Sequence, residues 1–199
     1  MRRCLLLLAA AAAADDVPFE LRDVYGPPPA KAAVALPLLH EPRVKLWWPS
    51  LDDVVEIAQD ADNPYDAPTT LWPAGAVLAH ALASDCASWQ GKVILELGCG
   101  VGAAALALAR CGASVVAADI SEAALALAAE NTNVTAENTN GTVVTRRLDW
   151  DDDDALREVL AEGPFFAVVG AALKFEDWPV GRLDAVLASE LLPTALLAA

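Results

Sequence analysis

The run Val93-Ile94-Leu95-Glu96-Leu97-Gly98-Cys99-Gly100-Val101-Gly102 constrains the fold of this chain more than any other stretch. Val93 to Leu97, apolar but for Glu96 and preceded by Gly91, reads as a strand buried on both faces. The alternate glycines that follow permit positive dihedrals and leave no side chain between the backbone and a ligand. Gly102 to Arg110 is then an alanine- and leucine-rich helix, and Gly112 stands where a left-handed C-terminal cap is wanted. Strand, glycine loop and helix in that order predict an α/β fold. Ligands of such folds bind beyond the carboxyl ends of the parallel strands.

The order repeats downstream. Ser114 to Ala118 reads as a second strand ending in Asp119, and Ser121 with Glu122 opens a helix running to about Ala129. The echo between Ala129-Glu130-Asn131-Thr132-Asn133 and Ala136-Glu137-Asn138-Thr139-Asn140 is too short for a repeat architecture and reads as a helix end and polar loop. Thr142 to Leu148 is a third strand, with Asp149-Trp150 at its carboxyl end. The acidic run Asp151 to Asp154 suits the dipole at the start of a helix over Ala155 to Ala161. Two registers compete beyond it. One places strand four at Phe165 to Gly170, a helix near Arg182 to Leu192 and the start of strand five at Thr194; the other makes Asp184 to Ser189 strand four. Either gives a parallel sheet covered on both faces.

The chain begins differently. Arg2-Arg3, the apolar run Cys4 to Ala14 and the small residues before Asp15-Asp16 have the layout of a signal or targeting segment over residues 1–14. That layout points to the secretory route or an organelle, and the run is too short to span a bilayer stably. The sequons at Asn133 and Asn140 have meaning only in a secreted chain. Residues 15–68 read as an irregular arm broken by Gly26-Pro27-Pro28-Pro29 and by Pro37, Pro42, Pro49 and Pro64. Within it Arg43 to Trp48 suits a strand, Leu51, Val54, Val55 and Ala58 have helical spacing, and Trp47-Trp48 would pack the arm onto a core. Regular structure, taken as residues 69–199, begins at Leu71-Trp72-Pro73, where proline suits the first turn of a helix bearing Val77, Leu78 and Leu82 on one face and leading to Gly91.

At 199 residues and 56% hydrophobic, the chain is sized for one domain with a real core. Its net charge of −15 repels a phosphate backbone, which disfavours nucleic acid and leaves a basic protein or a small molecule as partner. The same charge equally serves to keep an alanine-rich protein soluble. Cys4, Cys86, Cys99 and Cys111 lack metal-ligand spacing and the density of a disulfide scaffold, so they read as small apolar packing residues. His40 and His80 stand far apart, and no metal is expected.

Asp119, at the end of the second strand, lies where an acid accepts hydrogen bonds from ribose hydroxyls. A dinucleotide site uses similar parts. Here, however, the spacing is Gly-x-Gly-x-Gly, and Glu96 stands two residues before the first glycine. A carboxylate there suits a cofactor carrying an ammonium and a sulfonium and opposes a pyrophosphate.

Taken together, Leu71-Trp72-Pro73-Ala74, the Val93 to Gly102 run, Ala118-Asp119 and Leu148-Asp149-Trp150 resemble the seven-strand lysine methyltransferases of family 16 over about Pro64 to Ala199. The resemblance implies a Rossmann-like class I methyltransferase fold, a three-layer α/β/α sandwich, with S-adenosyl-L-methionine as cofactor and a protein lysine as substrate. It implies cofactor contacts from Trp72, from Gly98, Cys99, Gly100 and Gly102, and from Asp119 and Trp150, with Asp149 by the adenine and Ala171 approaching from strand four. Trp72 and Trp150 read equally well as core aromatics.

Two departures from the family pattern bear on activity. The acid and the tyrosine that usually follow strand four are replaced by Ala172-Leu173-Lys174-Phe175. Glu176 and Asp177 come just after; Glu176 is the candidate catalytic acid, with a solvated loop as the plainer alternative, and the other register would put Glu190 and Pro193 there instead. The second departure is length: the sequence reaches only a fifth strand, so the fold is expected to be incomplete at the C-terminus. A catalytically silent relative, a small-molecule methyltransferase and, least of all, a nicotinamide oxidoreductase are the alternatives to protein-lysine methylation.

Overall fold

A computed structural model describes residues 40–63, 67–133, 140–173 and 195–198. Alternation of side chains sets its first elements. β1 (Arg43–Trp48) buries Val44, Leu46 and Trp48 and exposes Arg43 and Lys45, and it pairs antiparallel with β2 (Asp53–Ala58), Leu46 opposite Val55. The helical reading of Leu51, Val54, Val55 and Ala58 is thereby corrected. Val54 is 53% exposed whereas Val55 and Ile57 are buried, a period of two that β-branched residues favour. Trp48 is fully buried in the core and Trp47 half-buried outside it, so of the pair it is Trp48 that packs this hairpin onto the core.

α1 (Pro73–Ser84) starts with its proline in the first turn, where the missing N–H costs nothing, and buries Leu78 and Leu82. It stops at Asp85 instead of running on to Gly91, and the short α2 (Cys86–Trp89) follows. β3 (Val93–Leu97), α3 (Ala103–Arg110), β4 (Ser114–Asp119) and α4 (Glu122–Asn133) come next. α3 closes through Gly112, whose φ is +83°. α4 ends at Asn133, so residues 129–133 are the expected helix end, while most of the second run, residues 136–139, lies outside the described residues. β5 (Thr142–Arg147) leads to α5 (Asp153–Leu160), whose cap Asp152 accepts the N–H groups of Asp154 and Ala155. β6 (Ala167–Ala171) and β7 (Ala195–Ala198) complete the described elements.

The larger sheet has the order β5-β4-β3-β6-β7, and every neighbouring pair is parallel. Its three central strands β4, β3 and β6 are buried on both faces, while the edge strand β5 is largely exposed. Ile94, Val115, Ala117, Ala167 and Val169 pack with α1, α3 and the hairpin, while their neighbours Leu95, Val116, Ala118 and Val168 pack on the side of α5 with Val159. β6 lies directly beside β3, as the first register requires. The helix expected at Arg182 to Leu192, the alternative strand Asp184 to Ser189, Glu176, Asp177 and Glu190 lie outside the described residues. So do the targeting-like segment and the arm up to residue 39.

One reading of the cysteines needs correction. Cys86 and Cys111 form a disulfide, with Cα atoms 4.6 Å apart, that joins the start of α2 to the residue capping the end of α3. Nothing in their spacing signals it, because the packing of α1 on α3 brings them together. Cys99 is a buried free thiol, as a packing residue would be, and Cys4 lies outside the described residues.

Candidate functional site

Because β3, β4, β5 and β6 run in parallel, their carboxyl ends share one edge, and a cavity of about 390 Å³ opens there. Glu96, Gly98, Cys99 and Gly100 line it from β3 and its loop, Asp119 from β4, Trp150 from beyond β5, and Ala171 from β6. Trp72, just before α1, closes another side. Sequence reasoning had singled out all of these. It had also named Gly102 and Asp149, which do not line the cavity. Gly102 is buried against α4, where a Cβ would stand 2.9 Å from the Ala128 Cβ, and Asp149 turns its Oδ1 to the N–H of Asp151. Trp150 serves both expected roles, lining the cavity and packing on the α5-side core.

Several lining residues are not assigned to the site by the sequence. Pro68, Thr70 and Leu71 form the wall before Trp72, Ile120 follows Asp119, and Leu173 reaches over from beyond β6. Leu173 lies against the glycines of the two central strands, since a Cβ at Gly98 would fall 2.5 Å from its Cδ2 and one at Gly170 2.7 Å from its Cδ1. Apolar residues in a loop carry no periodic signal that marks them as lining a cavity. Ala172 between them has a φ of +53°, unusual for a residue with a Cβ.

The loop after β3 is held from several sides. The N–H of Cys99 donates to Ala118 O at 3.0 Å, that of Gly102 to Cys99 O at 2.8 Å, and that of Gly100 to Asp119 Oδ2 at 2.9 Å. Asp119 Oδ1 accepts the N–H of Ser121 at 2.9 Å. Burial raises the Asp119 pKa, and these backbone donors work against the shift. A carboxylate offers about four lone-pair sites, so capacity for a ligand hydroxyl is left.

Glu96 is 4% exposed and its carboxyl pKa is raised to about 8, chiefly by burial, against the Ala105 N–H bond that lowers it. Its Oε2 is buried without a hydrogen-bond partner. An orphaned carboxyl oxygen in a cavity calls for a donor or a cation, and a phosphate placed here would meet repulsion from Asp119 and would hold Glu96 in its neutral form, whereas a cation would favour its ionisation. Those features fit a cationic nucleoside cofactor: Glu96 for its charged end, Asp119 for its hydroxyls, and Trp72 and Trp150 for an apolar ring. The Cys99 thiol is pushed well above its ordinary pKa by burial and by Glu96 and Asp119, which keeps it protonated and a poor nucleophile. Among the described residues no group of three or more His, Cys, Asp or Glu side chains is arranged to hold a metal ion, and no helix is long and apolar enough to cross a membrane.

Comparison with known proteins adds to this geometry. The model of a family described as lysine methyltransferase matches residues 50–189. A stretch of 78 residues is 38% identical to the electron transfer flavoprotein beta subunit lysine methyltransferase of Mus musculus, covering 39% of this chain and 28% of that protein. Among solved structures, a SAM-dependent methyltransferase from Agrobacterium tumefaciens is 18% identical with a TM-score of 0.50, over 80% of this chain and 49% of the other. The magnesium protoporphyrin IX methyltransferase of Synechocystis PCC 6803 is 26% identical with a TM-score of 0.40, over 57% of this chain and 47% of the other. The matched region thus spans less than half of each of these relatives.

Proposed function

The chain belongs to the lysine methyltransferase family, whose fold class and S-adenosylmethionine chemistry go with that membership, and on this premise we propose that it binds S-adenosylmethionine in the cavity at the carboxyl end of its sheet and methylates a lysine side chain of another protein. One observation carries the cofactor half of this reading. Glu96, buried and with an unpartnered oxygen, stands in a glycine-lined cavity with a second carboxylate, Asp119, and with no basic side chain among the described residues that line it. Such a site favours a cation and disfavours a pyrophosphate.

The chemistry supplied by S-adenosylmethionine when bound is an electrophilic methyl group on a sulfonium centre. The protein's own task is positioning and the exclusion of water. Gly98 and Gly100 let the backbone approach closely, Asp119 orients the hydroxyl-bearing part, and Glu96 neutralises the charged end as it ionises. Leu173 and Ala172 keep the side next to β6 apolar, which favours the neutral form of an incoming amine. The proton the amine sheds requires an acceptor, a part we give to Glu176, which lies shortly after Leu173 and outside the described residues. The lysine half of the reading rests on family membership and on the acidic surface, with a net charge of −15, which suits a basic protein partner.

Incubating the full chain with methyl-labelled cofactor and a lysate of its own cell tests the reading. Label on protein lysines is the expected result. Label in the low-mass fraction instead would make it a small-molecule methyltransferase. Cofactor binding without transfer would make it a silent relative, an outcome that Ala172-Leu173-Lys174-Phe175, in place of the family's acid and tyrosine, anticipates.

A further inference from the structure

The strongest polar contact outside the cavity lies behind the glycine loop. Asn131, in the last turns of α4, is 3% exposed, yet both hydrogens and the oxygen of its carboxamide are hydrogen-bonded. Oδ1 accepts the N–H of Ala58 at 2.7 Å, and Nδ2 donates both to Ala58 O at 3.0 Å and to Val101 O at 2.8 Å. The amide therefore pairs with the end of β2 as a neighbouring strand would, and its remaining hydrogen holds the loop that lines the cavity.

Gln59, which follows Ala58, ties a second stretch of the cavity lining. Gln59 Oε1 accepts the N–H of Leu71 at 2.9 Å, its Nε2 donates to Glu41 O at 2.8 Å, and the N–H of Asp60 donates to Thr69 O at 3.0 Å. Val101 lines the cavity on one side and Leu71 on another. The end of the β1–β2 hairpin is thus bonded directly to the Thr69–Leu71 stretch of the lining and, through Asn131, to Val101 in the glycine loop. One turn before Asn131, Ala128 packs on Gly102, so the same face of α4 meets the loop at two successive residues.

We propose that Asn131 is a positioning residue for the cofactor: through Ala58 and Gln59 it sets the separation between the glycine loop and the Leu71–Trp72 wall, which makes the hairpin part of the binding machinery. A buried amide with three directional partners fixes distances that apolar packing leaves adjustable. Replacement by aspartate keeps the size and the acceptor for Ala58 N–H but loses the amide's two donors to Ala58 O and Val101 O. The inference rests on the cavity being the S-adenosylmethionine site, and its test separates the two.

Two readings are made on the full chain for wild type, Asn131→Asp and Asp53→Ala. Asp53 pairs with Arg110 at 2.7 Å at the opposite end of the same strand, so its loss destabilises the hairpin without touching the bracket. The first reading is amide hydrogen exchange without cofactor. Asn131→Asp should speed exchange at Val101 to Ala103 and at Leu71, while Asp53→Ala should not. The second is S-adenosylmethionine affinity by calorimetry, expected to fall about tenfold in Asn131→Asp and to hold in Asp53→Ala at matched distance below each melting temperature. Faster exchange confined to Ala58, or equal affinity in the two variants, would overturn the proposal. If wild type binds no S-adenosylmethionine, the reading of the cavity fails, and hydrogen exchange alone still decides whether the bracket holds both walls. Should Asn131→Asp not fold, Gln59→Leu cuts the other arm, and the same two readings apply.

Discussion

Asp119 Oδ2 accepts the N–H of Gly100 at 2.9 Å, joining the carboxyl end of β4 to the loop that leaves β3. One carboxylate thereby shapes the loop and faces the cavity. Asp119→Ala loses both functions, and hydrogen bonds to a charged group contribute about 1.5–3 kcal/mol each. S-adenosylmethionine affinity is expected to fall about 10- to 100-fold. Calorimetry on the folded variant checks this; unchanged affinity would remove Asp119 from the site.

Glu96 predicts a pH dependence of stability. Its carboxyl titrates near 8 when folded and near 4.5 when unfolded. As pH rises through this window the unfolded chain releases the proton first, so the group destabilises the fold progressively from about 4.5 and fully above about 8. Glu96→Gln removes that effect. Its melting temperature should match wild type at pH 4.5 and exceed it increasingly up to pH 8, read by thermal scans across the range.

The glycines flanking β3 are not equivalent. A Cβ at Gly91, with φ of +68°, meets nothing within 4 Å, whereas at Gly102, with φ of +79°, it would meet the Cα of Ala128 at 3.0 Å and its Cβ at 2.9 Å. Gly91→Ala should cost about 1–2 kcal/mol from backbone strain alone. Gly102→Ala adds a collision with helix backbone and should cost about 3 kcal/mol or more. Denaturant titration of the two variants measures the difference.

The disulfide between Cys86 and Cys111 closes a loop with a sequence separation of 25. Loop entropy assigns about 3 kcal/mol to such a cross-link. Replacing both cysteines by serine should lower stability by that order in non-reducing buffer and leave no difference once wild type is reduced.

The parts of this molecule that could be read from sequence are those whose cause is local. Val93–Leu97 is recognisable because an apolar run ends in glycines, and Glu96 and Asp119 because strand ends place them by counting. The hairpin misled because Leu51, Val54, Val55 and Ala58 happen to step like a helix, while the pairing of Leu46 with Val55 that fixes their true period is a contact between strands. Asn131 looked like part of a polar echo for a related reason: its partners Ala58 and Val101 are distant in sequence and contribute only backbone atoms. Leu173 and Cys86–Cys111 likewise take their roles from elements that meet only in the folded chain.

The most direct measurement is a titration of the full chain with S-adenosylmethionine at pH 7 in two buffers of different ionisation enthalpy. With Glu96 protonated in the free protein and ionised beside a cation, binding should release about one proton, seen as a buffer-dependent heat, and Glu96→Gln should abolish that dependence. Absence of binding, or binding of NADH in its place, would contradict the account.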